Sequence, residues 1–283
     1  MAKDLKEKIG FFTLRLSALL VLLILFIILF DIITKGISVI SWEFLSTAPR
    51  RNMTEGGIFP AIYGTFLVTI ITAFVSVPLG AFGAIYLNEY AKKGWITRLI
   101  RMAIRNLAGV PSIVFGLFGV GIFVVLFDFG PSILSAGLTL ALMTLPITIT
   151  SSEEALKTVP RSYRDGSLAL GATKWQTIKN NVLPVALPGM LTGSILGLAR
   201  AAGETAPILF TGAAFFLPYL PDSIFSQFMA LPYHLYILAT QHHSISTVRP
   251  IAYGTALVLI TLVLIVNMAA IIVRNKLRNK YKR

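Results

Sequence analysis

No cysteine occurs anywhere in the 283 residues, which excludes disulfides, thiolate metal sites and cysteine nucleophiles. Charge is scarce as well. Only 13% of residues carry it, against about a quarter in a typical soluble domain. Histidine is limited to His234, His242 and His243. Two of these are adjacent rather than at helical spacing, and no nearby carboxylate completes a ligand set, so no metal is expected. There is no His-Glu-x-x-His and no serine or aspartate pair in a catalytic setting, which makes an intramembrane enzyme a poor reading. What the chain has in abundance is apolar surface: 55% hydrophobic residues and a mean hydropathy of +0.79. That balance describes an integral, all-α membrane protein rather than a pair of soluble domains.

Six stretches are long enough, or nearly so, to cross a bilayer at about 20 residues each: Leu16 to Thr34, Pro60 to Asn88, Met102 to Phe127, Pro131 to Thr150, Val182 to about Leu217, and Ile251 to Val273. The fifth is too long for a straight span and must tilt or break, with Pro184, Pro188, Gly203 and Pro207 as candidate places. The basic start, MAKDLKEKIGFFTLR, looks like that of a signal peptide, yet DIITKG follows Phe30 where a small-residue cleavage site would be needed. An uncleaved first helix is therefore expected. The organisation that follows is a tail, first span and external loop over 1–59, a transmembrane domain over 60–273 with a polar loop at about 152–182, and a basic tail over 274–283.

The charge that exists is one-sided. Placing both termini in the cytoplasm puts twenty of the 25 basic residues on the inner side, in four segments, with Lys35, Arg50, Arg51 and Arg249 outside and Arg200 within a span. This is the positive-inside pattern, and it reads the net charge of +13 as topology. No nucleic-acid partner is expected, because the basic residues are split among segments and no aromatic-rich basic domain holds them.

The longest inner loop, SSEEALKTVPRSYRDGSLALGATKWQTIKNNVLPVALPG, is polar and helix-prone. Glu153 and Glu154 are placed to cap a short helix that stops near Pro160. A second helix is expected from Asp165, with Leu168, Leu170, Trp175 and Ile178 as apolar anchors beside Arg164, Lys174 and Lys179. Such a helix suits a groove on a partner protein; the competing reading is an interfacial helix on anionic lipid. Gly166 and Gly171 have the spacing of a phosphate-binding loop, but Ala172 stands where its lysine is required, so this chain binds no ATP or other cofactor itself.

DGSLALGATKWQTIKNNVLP resembles the cytoplasmic signature of ABC-importer permeases, with Asp165, Gly166 and Ser167 in place of the usual Glu-Ala-Ala, with Gly171, Leu183 and Pro184 matching, and with Asn181 where an aliphatic residue is usual. RAAGETAPILFTG (200–212) and GVPSIVFGLFG (109–119) are similar to the phosphate-specific permease subunits of the PstA type. The resemblance covers nearly the whole chain after the first span. It implies a polytopic six-helix permease of the type I, MetI-like class in a bacterial or archaeal cytoplasmic (inner) membrane. It also implies a second phosphate permease subunit as heterodimer partner, two ATP-binding cassette ATPases that use ATP and Mg, and an external phosphate-binding protein. Asp165 to Trp175 would be the coupling helix seated on the ATPase, with Gly171 allowing a close approach.

Arg200 and Glu204 need their own explanation, since each ionisable residue left in hydrocarbon costs roughly 2.5 to 3.5 kcal/mol. On a helix, Gly189, Gly193, Gly197, Arg200 and Glu204 fall within an arc of about 80°, so a small-residue face that admits another helix also carries the pair. Arginine suits a phosphate oxygen because its planar fork donates two parallel bonds. Glu204 can accept a hydrogen bond from the P–OH of phosphate, or keep Arg200 from binding too tightly. The competing reading is a self-neutralising structural pair. Thr205, beside Glu204, and Ser112, after Pro111, are further candidates to line the path, and Pro146-Ile147-Thr148 is a further candidate break. Aromatics between Thr211 and Val248 are assigned mainly to the membrane interface. Two other functions stay open: a permease for another oxyanion or small solute, and a non-transporting adaptor or sensor.

Overall fold

The computed structural model describes residues 2–280. Lys282 and Arg283 of the basic tail lie outside the described residues, as do the side chains of Lys3, Lys6, Lys8 and Lys280. The chain is helical almost throughout. Helix α1 (Ala2–Gly36) and a short α2 (Trp42–Ser46) precede a two-stranded hairpin, β1 (Pro49–Arg50) with β2 (Glu55–Gly56). Helix α3 (Phe59–Ile85) continues through a wider π turn to Tyr90. Among the described residues, five segments are long and apolar enough to cross a membrane: Gly10–Val39, Phe59–Tyr90, Ile133–Lys157, Lys174–Gly203 and Ile245–Arg278. The count reaches six if a bent pair of helices is taken as one span.

That pair corrects the expected third span. Instead of one helix over Met102 to Phe127, α4 (Trp95–Leu107) ends before the Ala-Gly-Val-Pro run, and α5 (Ser112–Gly119), extended by a π turn to Leu126, leaves it at 104°. Pro111 accounts for the break: it donates no N–H and disfavours helical backbone at Val110. Helix α5 with its extension covers only about 15 residues, roughly 22 Å, short of a hydrocarbon thickness of about 30 Å.

Helix α6 (Ile133–Lys157) is the centre of the bundle, packed on α3 along one side and on α9 (Leu183–Gly203) along another. Ser132 caps it by accepting from the Ser135 N–H at 3.2 Å. It runs seven residues beyond the expected Thr150 and passes through Pro146 without breaking, so that proline opens no cavity. Glu153 and Glu154 consequently sit in its last turns rather than at the start of a helix. The buried faces of α3 and α6 carry Thr65, Thr69, Thr72, Thr139, Thr144 and Thr148, each donating to the carbonyl four residues back. Those hydroxyl donors are satisfied within their own helices.

After α6 come α7 (Arg161–Ala169) and α8 (Lys174–Thr177), and a π turn over Ile178–Val182 joins α8 to α9. The fifth span thus begins near Lys174 and stops at Gly203, well short of Leu217. Pro207 explains the stop: a continued helix would need its missing N–H, and its ring would strike the Gly203 carbonyl. A new short helix, α10 (Ala206–Thr211), follows and packs against α5 at Gly116. The segment from Gly212 to Ala230 is irregular, and α11 (Leu231–Thr240) then folds back into the bundle, with Leu231, Ile237 and Leu238 fully buried. Phe228 at 0% and Tyr233 at 9% exposure are core residues, not the interfacial aromatics expected of the outer segment between Thr211 and Val248; Phe215, Tyr219, Phe225 and Tyr236 do remain exposed. Burial pushes the His234 imidazole down to about 4. His242 Nε2 reaches the Asn52 carbonyl at 2.8 Å and His243 Nδ1 the Asn52 amide at 3.3 Å, so this pair clasps the hairpin to the loop before α12 (Ile245–Lys280).

Candidate functional site

The two ends of the bundle hold different chemistry. At the end of α9, Arg200 Nε donates to Glu204 Oε1 at 3.1 Å. The i,i+4 ion pair of the competing reading is therefore formed, but on different backbone. Arg200 lies in the last helical turn, whereas Glu204 caps it in extended conformation, φ −75° and ψ 133°. The shared face fails in a second respect. Gly189, Gly193 and Gly197 pack against Ala155, Ser151 and Thr144 of α6, where a Cβ at Gly193 would overlap Ser151 Oγ. Arg200 points elsewhere: its side chain is 51% exposed, and that of Glu204 17%. The glycine stripe is thus used inside the chain, and the arginine is presented outward from it. At 100° per residue Arg200 lies only 60° from Gly197, but the buried residues Gly193, Gly197 and Ala201 spread away from it to one side, so the arginine stands at the exposed edge of the contact.

Glu204 faces a cavity of about 10 Å³ lined by Thr65, Thr69, Leu140, Ile208 and Phe228 among others, room for one water molecule. Among the described residues, the Arg200 guanidinium makes its one protein hydrogen bond through Nε. Its two terminal nitrogens are left to meet a ligand in the fork geometry that suits an oxyanion. Thr205 directly follows, as the N-cap of α10 without a side-chain cap bond. Ser112 stands at the first turn of α5, below the Gly116 contact with α10; no hydrogen bond joins it to Arg200 or Glu204 among the described residues.

At the basic end, α7 starts at Arg161 rather than Asp165, because Pro160 supplies the extended residue that opens a helix. It ends in a Schellman turn: the Gly171 N–H bonds the Leu168 carbonyl at 3.0 Å and the Ala172 N–H the Ser167 carbonyl at 3.2 Å. Gly171 takes φ +83°, and a Cβ there would meet nothing within 4 Å. The glycine is needed for a left-handed backbone and not, within this chain, for a close approach. Thr173 then opens α8 with a reciprocal capping box to Gln176. Trp175 therefore belongs to the base of the fifth span, not to the helix carrying Asp165. The two nonetheless share one surface: Tyr163, Leu168 and Trp175 are each about half exposed and Leu170 is 90% exposed, with Asp165 and Gly166 exposed beside them. Ile178, expected as a fourth anchor, is 1% exposed and packs with Ala155, Leu156 and Val182.

Arg164 faces inward. Its Nη2 contacts Glu89 Oε1 at 2.6 Å, its Nε lies 3.2 Å from both carboxylate oxygens, and it donates to the Val159 and Leu156 carbonyls at 2.9 and 3.1 Å. It ties α7 to the end of the second span while satisfying carbonyls at the end of α6. Lys174 sits over the Tyr90 ring at 4.9 Å, and Arg101 pairs with Glu153 at 2.7 Å. Sequence reasoning missed Glu89 as a partner; the signal was its position at the end of an apolar span in a chain with only 12 acidic residues. It also missed that two departures from the permease pattern meet. Asn181 Nδ2 and Thr177 Oγ1 both donate to Ser167 Oγ, each at 3.0 Å.

Residues 76–280 match the family described as "Binding-protein-dependent transport system inner membrane component". The chain is 33% identical to the "Probable ABC transporter permease protein YqgI" of Bacillus subtilis over 95% of both chains. It is 35% identical to the "Probable phosphate transport system permease protein PstA" of Methanocaldococcus jannaschii, covering 92% of this chain and 90% of that one. Among solved structures, its backbone is similar to an inward-facing MetNI methionine ABC transporter, with a TM-score of 0.62 and 17% identity over 78% of this chain and 97% of that chain.

Proposed function

Since the chain belongs to the family of binding-protein-dependent transport system inner membrane components, we propose that it is the permease subunit of an ATP-driven importer of inorganic phosphate. The relatives named as phosphate permeases support the substrate. The observation that carries the residue assignment is Arg200, a cation near the end of an apolar span, paired once to Glu204 and turned out of its own bundle. A half-exposed arginine on this surface lines a path completed by a second permease subunit. Phosphate takes the free fork of Arg200, and Glu204 accepts a hydrogen bond from its P–OH or limits how tightly it is held. The exposed surface of α7 and Trp175, with Asp165, Gly166 and Gly171, is the seat for a partner ATPase, and an external binding protein delivers the substrate. Both termini lie in the cytoplasm on the positive-inside argument.

Exchanging Arg200 and Glu204 is a poor test, because a guanidinium at position 204 has only a water-sized cavity to enter. Arg200→Gln is better, since the side chain is exposed. A charge-assisted bond is worth about 1.5–3 kcal/mol, or roughly 10- to 100-fold, so the assembled complex should keep its basal ATP hydrolysis and lose phosphate uptake by that factor. Arg200→Lys should also transport poorly, as a point charge lacks the fork. Native uptake by Arg200→Gln would reduce the pair to a structural one. For orientation, cysteines placed at Ser162 and Ser223 in this cysteine-free chain should label from opposite sides of the membrane; labelling from one side would overturn the topology.

A further inference from the structure

Helix α4 is not absorbed by the transport reading. It has no buried residue along its 13 positions, so the hydrophobic core of this chain does not account for its existence. Isolated helices of this length are marginal in water, and something must cover it. Its sequence, WITRLIRMAIRNL, contains three arginines and no carboxylate. On a helical wheel Trp95, Ile96, Leu99, Ile100 and Leu107 gather on one side, and Arg98, Arg101 and Arg105 on another. Those apolar side chains are between 39% and 73% exposed. The basic side borders a cleft of about 370 Å³ lined by Lys93, Gly94, Thr97, Arg98, Arg101 and Arg105. Arg101 is committed, pairing with Glu153 at 2.7 Å and donating to the Leu87 carbonyl at 2.9 Å. Lys93, Arg98 and Arg105 enter none of the ion pairs formed among the described residues.

We propose that α4 lies in the cytoplasmic leaflet's interface and that Lys93, Arg98 and Arg105 form a site for the phosphate of an anionic phospholipid headgroup. The 104° turn into α5 supplies the geometry: if α5 runs across the membrane, α4 lies close to its plane. The charge supplies the choice of occupant, because an apolar side flanked by unpaired cations matches acyl chains flanked by anionic headgroups. A protein groove would also have to bring carboxylates to meet them. The orientation rests on the cytoplasmic placement of the basic segments. The site is distinct from the seat proposed for the ATPase, and the Arg101–Glu153 pair connects the two by holding α4 to the end of α6, from which α7 descends.

The absence of native cysteine makes a depth measurement direct. A nitroxide attached at Ile100→Cys is read by oxygen and nickel-chelate accessibility, with the chain in its assembled complex in vesicles of phosphatidylcholine alone or with phosphatidylglycerol. The expected result is a label in the acyl region, and phosphatidylglycerol retained by the complex in native mass spectrometry. Each basic residue near an anionic surface contributes about fivefold in binding, so Arg98→Gln with Arg105→Gln should lower that retention roughly 25-fold while phosphatidylcholine retention is unchanged. A water-exposed label, or one immobilised by protein contact and closed to both oxygen and the chelate, would overturn the proposal. So would equal phosphatidylglycerol retention by the double variant. If millimolar inorganic phosphate in phosphatidylcholine vesicles displaced the bound lipid completely, the cleft would be a soluble-anion site and the lipid assignment would fail.

Discussion

Arg164 gives the sharpest test of how the loop is built, because its position suggests docking and its contacts show bracing. In Arg164→Met the fork on Glu89 and the bonds to the Val159 and Leu156 carbonyls all vanish, while a methionine of similar length still fills the space. Glu89 is left with a side chain 7% exposed and its main counter-charge gone. Removing one partner of a buried pair costs about 3–5 kcal/mol, against a total stability of about 5–15 kcal/mol for a folded domain. At about 2–4 °C per kcal/mol for chains of this size, the thermal midpoint of the assembled complex should fall by roughly 6 to 20 °C. Adding Glu89→Gln removes the orphaned charge and should recover a substantial part of the loss, since the cost is the buried carboxylate rather than the missing bond alone. A docking residue would behave otherwise: Arg164→Met would weaken retention of the ATPase at an unchanged midpoint, and Glu89→Gln would repair nothing. That outcome would refute the brace.

Two further substitutions follow from the same end of the bundle. Gly171→Ala forces an L-residue into φ +83° at about 1–2 kcal/mol, so hydrogen exchange at Leu170 to Ala172 should quicken; Gly171→Asn, better tolerated in that region, should be milder, and equal effects would argue for a steric role instead. Ser167→Ala strands the donors of Asn181 and Thr177 at about 1–3 kcal/mol. Ser167→Ala with Asn181→Leu should recover at least half of that in thermal unfolding, whereas strictly additive losses would show the two positions to be independent.

Class, number of crossings and the identity of the odd residues were legible in the sequence for a common physical reason. Hydropathy and charge asymmetry are summed over many residues, so α1, α3, α6 and α12 could be placed whatever packs against them. Arg200 and Glu204 stood out because two charges in an apolar run are costly wherever the helix points. Where the helix points was decided elsewhere. The side of α9 that meets α6 is chosen by glycines fitting Ala155, Ser151 and Thr144, and that contact leaves Arg200 at its exposed edge. The breaks at Pro111 and Pro207 were signalled by residue type, yet only the packing of α10 on α5 makes them two ends of one irregular layer rather than two kinks. Phe228 and Tyr233 read as interfacial because burial of an irregular segment depends on what folds over it, and nothing local records that α11 returns to the core. Arg164 is the extreme case. Its partner lies 75 residues away, and a contact over that distance exists only once α3, α6 and α7 are assembled together.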